Sequence, residues 1–331
     1  MGIKSLTQTI KRYAPESIHH DNLYKLSGKK VAVDASLIIY QQLLNNKKKF
    51  FKNKDGKITN HITGLFYKIM NYISLNIELI FIFDGKPPDN KQLCIQDRKN
   101  KAEKAKKMIE EKDTTDEEKH KLEKQSIRLT KEMIDDVKKL LNLFGIKYIH
   151  PEIGEGEAYA SELCRMGVVD YVLTEDMDTI AYGCPKVIRN CIDKELKRKD
   201  IITIIDYEVL INKLNIDHNK LIDFCILCGC DYCDPPPKVG NITALKLINK
   251  YNTIEEIIDG TKYDFPSNYL NLFKEAKQNF LLFYNNIKEE DIIYHTSERD
   301  IDKLKSFLIE DVGMSQTRVT NSFKKFHNNY K

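Results

Sequence analysis

Three short apolar segments of this chain run directly into carboxylates. Glu78-Leu-Ile-Phe-Ile-Phe-Asp-Gly-Lys-Pro-Pro88 carries an apolar run onto Asp84 and then into a turn. Lys30-Val-Ala-Val-Asp34 and Asp170-Tyr-Val-Leu-Thr-Glu-Asp-Met-Asp178 repeat the pattern. Continuous apolar runs of this length read as strands covered on both faces, the mark of a parallel sheet. Ionised carboxylates are rarely buried unless they are paired or hold a metal. Ligands of open α/β sheets sit at the carboxyl ends of the parallel strands. Acids at several strand ends, with no basic partner among them, point to divalent cations at the mouth of such a sheet.

The bulk composition narrows the class only slightly. The 331 residues are enough for one large domain or two. Charged residues make up 31% and nearly cancel, leaving a net charge of +4, so any contact with nucleic acid must be carried by local lysine-rich patches. No stretch reads as a membrane span; the most apolar one, around Tyr72 to Phe83, is short and ends in Asp84. No secretory leader is expected. Met1-Gly-Ile-Lys-Ser-Leu6 fails the myristoylation pattern because Leu6 stands where Ser or Thr is needed. Four of the eight cysteines fall in Cys225-Ile-Leu-Cys-Gly-Cys-Asp-Tyr-Cys233, on a helix end entering a turn rather than in two paired elements. Reduced thiols are expected there, not a zinc knuckle.

Along the chain, the patterning predicts a helix over Ile3 to Tyr13, a loop, the Asp34 strand and a helix through Tyr40 to Leu44. A basic stretch from Lys47 to Lys57 follows, with a helix from His61 to Leu75 and then the Asp84 strand. From Asp89 to Lys131 the chain is helical by propensity with little to bury, and Thr114 or Thr115 with Glu117 or Glu118 makes a capping box. The core resumes at Glu132, where Met133, Val137, Leu140, Leu141 and Phe144 share a helix face that stops at Gly145. A strand over Ile146 to Ile149, a helix after Gly154-Glu-Gly-Glu-Ala158, and strands near Asp170, Val187 to Cys191 and Ile201 to Ile205 complete an alternating α/β pattern. Beyond Tyr207 the chain reads as helical, broken at Pro235-Pro-Pro237. The boundaries are 1–88 and 132–220 for two parts of one core, 89–131 for a helical excursion and 221–331 for a helical region.

Seven acids collect at strand ends and loops: Asp34, Asp84, Glu155, Glu157, Asp176, Asp178 and Asp231. Any one alone reads as an ordinary surface acid; the ordered set does not. Two pairs are spaced i, i+2, which cannot share a regular helix face but can converge from a turn or a helix's first residues. Seven carboxylates exceed the needs of one Mg²⁺ and suit two ions sharing ligands, an arrangement that hydrolyses phosphodiesters.

These residues carry a family resemblance. Met1-Gly-Ile-Lys-Ser-Leu, Val-Ala-Val-Asp34-Ala-Ser with Tyr40-Gln, Phe-Asp84-Gly-Lys-Pro-Pro, Gly-Glu155-Gly-Glu157-Ala, Thr-Glu-Asp176-Met-Asp178 and Cys-Ile-Leu-Cys-Gly-Cys-Asp231-Tyr-Cys occur in order. The set resembles the flap endonucleases, XPG-type structure-specific 5′ nucleases, over about residues 1 to 325. The resemblance implies a PIN-like α/β core, its parallel or mixed sheet flanked by helices, with a helical arch at 89–131 and a helix–two-turn–helix and C-terminal helical region at 221–331. It implies Mg²⁺-dependent cleavage of 5′ flaps and 5′ ends in branched DNA, by a monomer acting in replication and repair. It places Asp34, Asp84, Glu155 and Glu157 in a first metal cluster and Asp176, Asp178 and Asp231 in a second. Lys91 and Arg98 match the arch-base pair that meets the scissile phosphate, Tyr40 a stacking position, and Gly2 a terminal residue beside DNA. Through that role it implies the nucleus, the host's if the gene is viral, or else a cytoplasmic replication site.

Two departures from the family's pattern stand out. The usual Gly-Ile-Gly hairpin that meets duplex phosphate and K⁺ reads Lys238-Val-Gly240, and the basic pair after it is Ile242 and Thr243. A sliding-clamp box fails at both Gln316 and Gln278, so clamp recruitment through that motif is not expected. The same acids leave open the exonuclease or junction-resolving branch of the family, and a catalytically silent DNA-binding scaffold. A haloacid-type phosphatase would need Asp-x-Asp at the first strand, where this chain has Asp34 and Ser36.

Overall fold

The structure is a computed structural model that describes residues 2–45, 50–111, 115–196, 198, 200–282 and 287–329. Within these are seven strands: β1 (Ile18–Asn22), β2 (Lys30–Asp34), β3 (Glu78–Ile82), β4 (Lys147–Ile149), β5 (Tyr171–Leu173), β6 (Lys186–Asn190) and β7 (Ile201–Asp206). They form one sheet in the order β1-β7-β6-β5-β2-β3-β4. The five strands from β6 to β4 are parallel, and β7 runs antiparallel to both of its neighbours. The sheet is therefore mixed, with a parallel centre that contains the strands running into Asp34, Asp84 and Asp176.

Strand β1 replaces the loop expected between the first helix and β2. Its sequence, Ile-His-His-Asp-Asn, has no apolar alternation, and the strand forms because pairing with β7 supplies the backbone bonds at the sheet edge. The first helix is also shorter than the periodicity suggests, starting at Leu6 after Ser5 takes a left-handed φ of 61°.

Fifteen α-helices surround the sheet in the described residues. The first six are α1 (Leu6–Tyr13), α2 (Ala35–Leu44), α3 (Asn60–Ser74), α4 (Gln92–Glu111), α5 (Asp116–Ser126) and α6 (Lys131–Phe144). Next come α7 (Gly156–Arg165), α8 (Asp178–Ala181), α9 (Tyr207–Leu214), α10 (His218–Cys228), α11 (Asn241–Lys250), α12 (Ile254–Gly260) and α13 (Tyr269–Leu282). The last two are α14 (Ile301–Ser306) and α15 (Gln316–Asn329).

Side chains alternate along β2 and β3 between two separate cores. Ala32, Ile80 and Ile82 face α1, α7 and α10, whereas Val31, Val33, Leu79 and Phe81 face α3, α6 and α14–α15. Covering both faces explains why the strands read as unbroken apolar runs. The helices end where local chemistry dictates. Gly145 takes a left-handed φ of 70° after α6, and Thr115 forms the capping box with Glu118 before α5. The α4–α5 hairpin buries mainly Ala102 and Ala105, in keeping with its scarcity of apolar residues. Part of the basic stretch (46–49) and part of the expected cap (112–114) lie outside the described residues.

His61, in the first turn of α3, is 1% exposed, and neither ring nitrogen has a hydrogen-bond partner among the described residues. Burial pushes its pKa down to about 4 from 6.5. The unfolded chain therefore binds the proton between those values while the fold does not, and stability is lost as pH falls through that window. His61→Leu is expected to lose less stability than the parent between pH 6.5 and 4.5, by about 2 kcal/mol in urea unfolding. Equal losses in the two proteins would contradict this.

Candidate active site

The acids converge because the parallel strands end at staggered heights on one edge. Asp34 closes β2 level with Ile82 of β3, and Asp84 stands two residues farther on. Asp34 also caps α2: its Oδ1 accepts from the Leu37 amide at 3.0 Å and its Oδ2 from the Thr174 hydroxyl at 2.8 Å. Asp84 Oδ1 accepts from the Gly156 amide at 2.7 Å, so the carboxylate sits on the N-terminus of α7. A Cβ at position 156 would lie 3.0 Å from that oxygen, which explains the glycine. Glu155 and Glu157 flank it, as the cap and second residue of α7. Asp84, Glu155 and Glu157 each offer an oxygen within 4.8 Å of the others.

The second group is built by the turn into α8. The Asp176 amide donates to the Thr174 hydroxyl, and the Asp178 amide donates to Asp176 Oδ1 at 3.2 Å. The i, i+2 spacing thus works as expected, through a loop residue and a helix's first residue. Gly2, with a left-handed φ of 79°, packs directly on this pair: a Cβ there would lie 2.0 Å from Asp176 Oδ1 and 2.5 Å from Asp178 Oδ1. Asp231 reaches the same edge from the loop after α10.

Two cations answer this charge. Lys91 Nζ lies 2.6 Å from Glu155 Oε2 and 3.3 Å from Asp231 Oδ2. Arg98 donates through Nη2 to both oxygens of Asp231 at 2.8 Å. The seven-residue spacing does place both on one side of the arch base, but Lys91 belongs to a 3-10 turn (Asp89–Lys91) leading into α4, not to the helix itself. Burial opposes the charge on Lys91, and Glu157 and Glu155 more than restore it.

The carboxylates are held uncomfortably. Burial and the neighbouring Asp84 push Asp34 up to about 7. Burial raises Glu157 and Asp178 well above the usual carboxylate range, with Glu155 and Asp176 respectively adding repulsion. Glu155 and Asp176 are raised chiefly by burial as well. Asp231 goes the other way: burial would raise it, but Lys91 and Arg98 hold it below the ordinary value. Two side-chain cations do not balance seven acids.

Oxygen-only donors suit a hard divalent cation. Glu155 Oε1 and Asp178 Oδ1 are buried and accept no hydrogen bond from the described residues, which leaves them available as ligands. The residues present fit a divalent metal. Among the described residues, Asp84, Glu155 and Glu157 form the one group whose oxygens converge at metal-ligand distance; Asp34, Asp176, Asp178 and Asp231 lie nearby without joining it.

A cavity of about 660 Å³ opens over the cluster and brings together Asp34, Tyr40, Asp84, Lys91, Arg98, Glu155, Glu157, Asp176 and Asp231. Asp178 lies beneath it, 1% exposed. Lys238 and Gly240 do not line it; they sit in the loop before α11, where Lys238 takes a φ of 66° and Gly240 precedes the first helical residue. Sequence reasoning missed four wall residues, Lys101, Gln125, Arg128 and His150. Lys101 lies one turn beyond Arg98 and could have been found by helical spacing; nothing local marks Arg128 or His150.

Two family descriptions match the chain, "XPG N-terminal domain" over residues 1–105 and "XPG I-region" over 145–231. Flap endonuclease 1 from Meyerozyma guilliermondii is 37% identical over 98% of this chain and 89% of its own length; that from Glycine max is 35% identical over 98% and 86%. Flap endonuclease-1 from Methanococcus jannaschii superposes with a TM-score of 0.71 at 26% identity, covering 97% of this chain and 98% of that one. The catalytic core of Rad2 in complex with DNA substrate shares the fold, with a TM-score of 0.74 at 22% identity over 98% and 100% of the two chains. With relatives 35–37% identical over 98% of its length, the chain belongs to the flap endonuclease family.

Proposed function

We propose that this chain is a structure-specific 5′ flap endonuclease and 5′–3′ exonuclease that hydrolyses DNA phosphodiesters with two Mg²⁺ ions in replication and repair. The observation that carries this is one cavity with carboxylates on its floor and Lys91 and Arg98 on its wall, in a chain of this family. Asp34, Asp84, Glu155 and Glu157 are assigned to one ion, and Asp176, Asp178 and Asp231 to the other. When bound, such ions supply Lewis-acid activation of water and neutralise charge on the phosphoryl group.

The chain's own residues do the positioning. Lys91 and Arg98 stand one side chain away from the floor and can transfer their hydrogen bonds to a scissile phosphate as its charge grows. Tyr40 borders the cavity beside Leu37 and offers a ring on which a base can stack. Lys101 and Arg128 also line the cavity and would meet strand phosphates there. Gly2 lies close enough to Asp176 and Asp178 that any larger residue would intrude on them. Lys238 and Gly240 are assigned to duplex phosphate, through backbone amides at the start of α11. A K⁺ ion at this turn would have to be held without the Gly-Ile-Gly hairpin, which Lys238-Val-Gly240 replaces.

Residues 89–131 would form the arch, 221–331 the helix–two-turn–helix and C-terminal helical region, and 1–88 with 132–220 the core. A monomer acting in the nucleus, or at a cytoplasmic replication site, is consistent with this role. Among the described residues no helix is long and apolar enough to cross a membrane.

On a labelled 5′-flap substrate, Asp176→Ala or Asp84→Ala is expected to lower cleavage by at least about 10³-fold in Mg²⁺ while flap affinity changes little. Cleavage near the parent rate would overturn the assignment. Metal should also change stability in a pH-dependent way. Asp34, raised to about 7 in the fold, favours the metal-free protein at low pH and loses that contribution as pH climbs from 3.8 through 7. A divalent ion replaces the proton, so the Tm gain in 5 mM-scale Mg²⁺ is expected to be at least about 3 °C larger at pH 8 than at pH 5.5. A gain independent of pH would speak against a buried carboxylate cluster as the binding site.

A further inference from the structure

Lys91 and Arg98 hold carboxylate oxygens that a divalent ion would use. Arg98 takes both oxygens of Asp231, and Lys91 bridges Asp231 and Glu155. We propose that these two cations compete with metal for the Asp231 side of the cluster, so that the arch base acts as a lock released by substrate phosphate. The proposal rests on reading the cluster as a two-cation catalytic centre.

The geometry is that of an exchangeable pair rather than a fixed structural pin. The Arg98 side chain is 44% exposed while that of Asp231 is 12% exposed, so the guanidinium can swing away without opening the core. Arg98 Nη2 is shared between both oxygens of Asp231 and neutralises that carboxylate, which weakens it as a metal ligand. The arch base reaches only Asp231, through both cations, and Glu155 Oε2, through Lys91; Glu155 Oε1 and Asp178 Oδ1 are left without hydrogen-bond partners among the described residues. A guanidinium donates to phosphate oxygens as it does to carboxylate oxygens. A phosphodiester entering between the arch base and the floor therefore offers Arg98 and Lys91 an equivalent partner. The oxygens they leave become free for metal, and the site fills when substrate is present.

Coupling of this kind is reciprocal: if the docked arch base opposes metal, metal must loosen the arch base. Removing the guanidinium should then tighten metal binding even as it removes a phosphate contact. A fixed pin, with metal bound beside intact ion pairs, would give the opposite or no effect, because Asp231 would lose its support.

The test is Mn²⁺ binding to the full chain without DNA, followed by electron paramagnetic resonance, for the parent, Arg98→Ala and Arg98→Gln. The weaker Mn²⁺ site is expected to tighten about tenfold in both variants. In the parent, Mn²⁺ should also raise amide hydrogen exchange over residues 92–98. Unchanged or weaker Mn²⁺ binding in both variants would overturn the lock. Asp176→Ala is the control, expected to lose a site in either background. Absence of saturable Mn²⁺ binding in the parent and the variants alike would remove the metal centre itself and the lock with it, a result distinguishable from the lock failing alone.

Discussion

The mutual repulsion of carboxylates gathered at one end of a parallel sheet governs this structure. Burial alone opposes their ionisation, and close neighbours such as Asp84 beside Asp34 and Glu155 beside Glu157 add to the strain. Sheet geometry offers some compensation in the form of the α7 N-terminus under Asp84 and the hydroxyl of Thr174 under Asp34. The remaining charge is met by Lys91 and Arg98, which reach in from the arch base. Five other acids have no basic side chain in ion-pair contact among the described residues, and that surplus gives the site its affinity for hard cations.

The rest of the fold serves to keep those acids in place. Two apolar cores clamp the central strands from opposite faces, so the ends of β2, β3 and β5 cannot drift relative to one another. The cations that must change partners sit at the base of the α4–α5 hairpin, whose buried apolar residues are chiefly Ala102 and Ala105. Stability is thus concentrated where ligands must be fixed, and a small interface is left where substrate must enter.

Much of this was legible in the residues. The apolar runs at Lys30 to Asp34 and Glu78 to Phe83 announced parallel strands because each strand is covered on both sides. The acid set was legible because a carboxylate at a buried strand end is costly without a partner. The i, i+2 pairs were correctly read as turn or helix-start geometry. What escaped was set by tertiary context. Strand β1 has a polar sequence and exists only through its edge pairing with β7. Arg128 and His150 reach the cavity from loops whose direction no periodicity encodes. The ion pairs from Lys91 and Arg98 onto Glu155 and Asp231 depend on how the hairpin docks, which spacing along one helix cannot reveal. Lys238 takes a left-handed φ of 66°, a strain on a non-glycine residue that no periodicity in the sequence announces.

If raised carboxylates give way to bound cations, metal uptake must expel protons. The direct measurement is calorimetric titration of Mg²⁺ into the protein near pH 6.5, in buffers of different ionisation enthalpy. Release of about one proton or more per chain is expected at saturation, as Asp34 and its neighbours ionise. Binding with no proton release would contradict the picture of a buried, mutually repelling acid cluster.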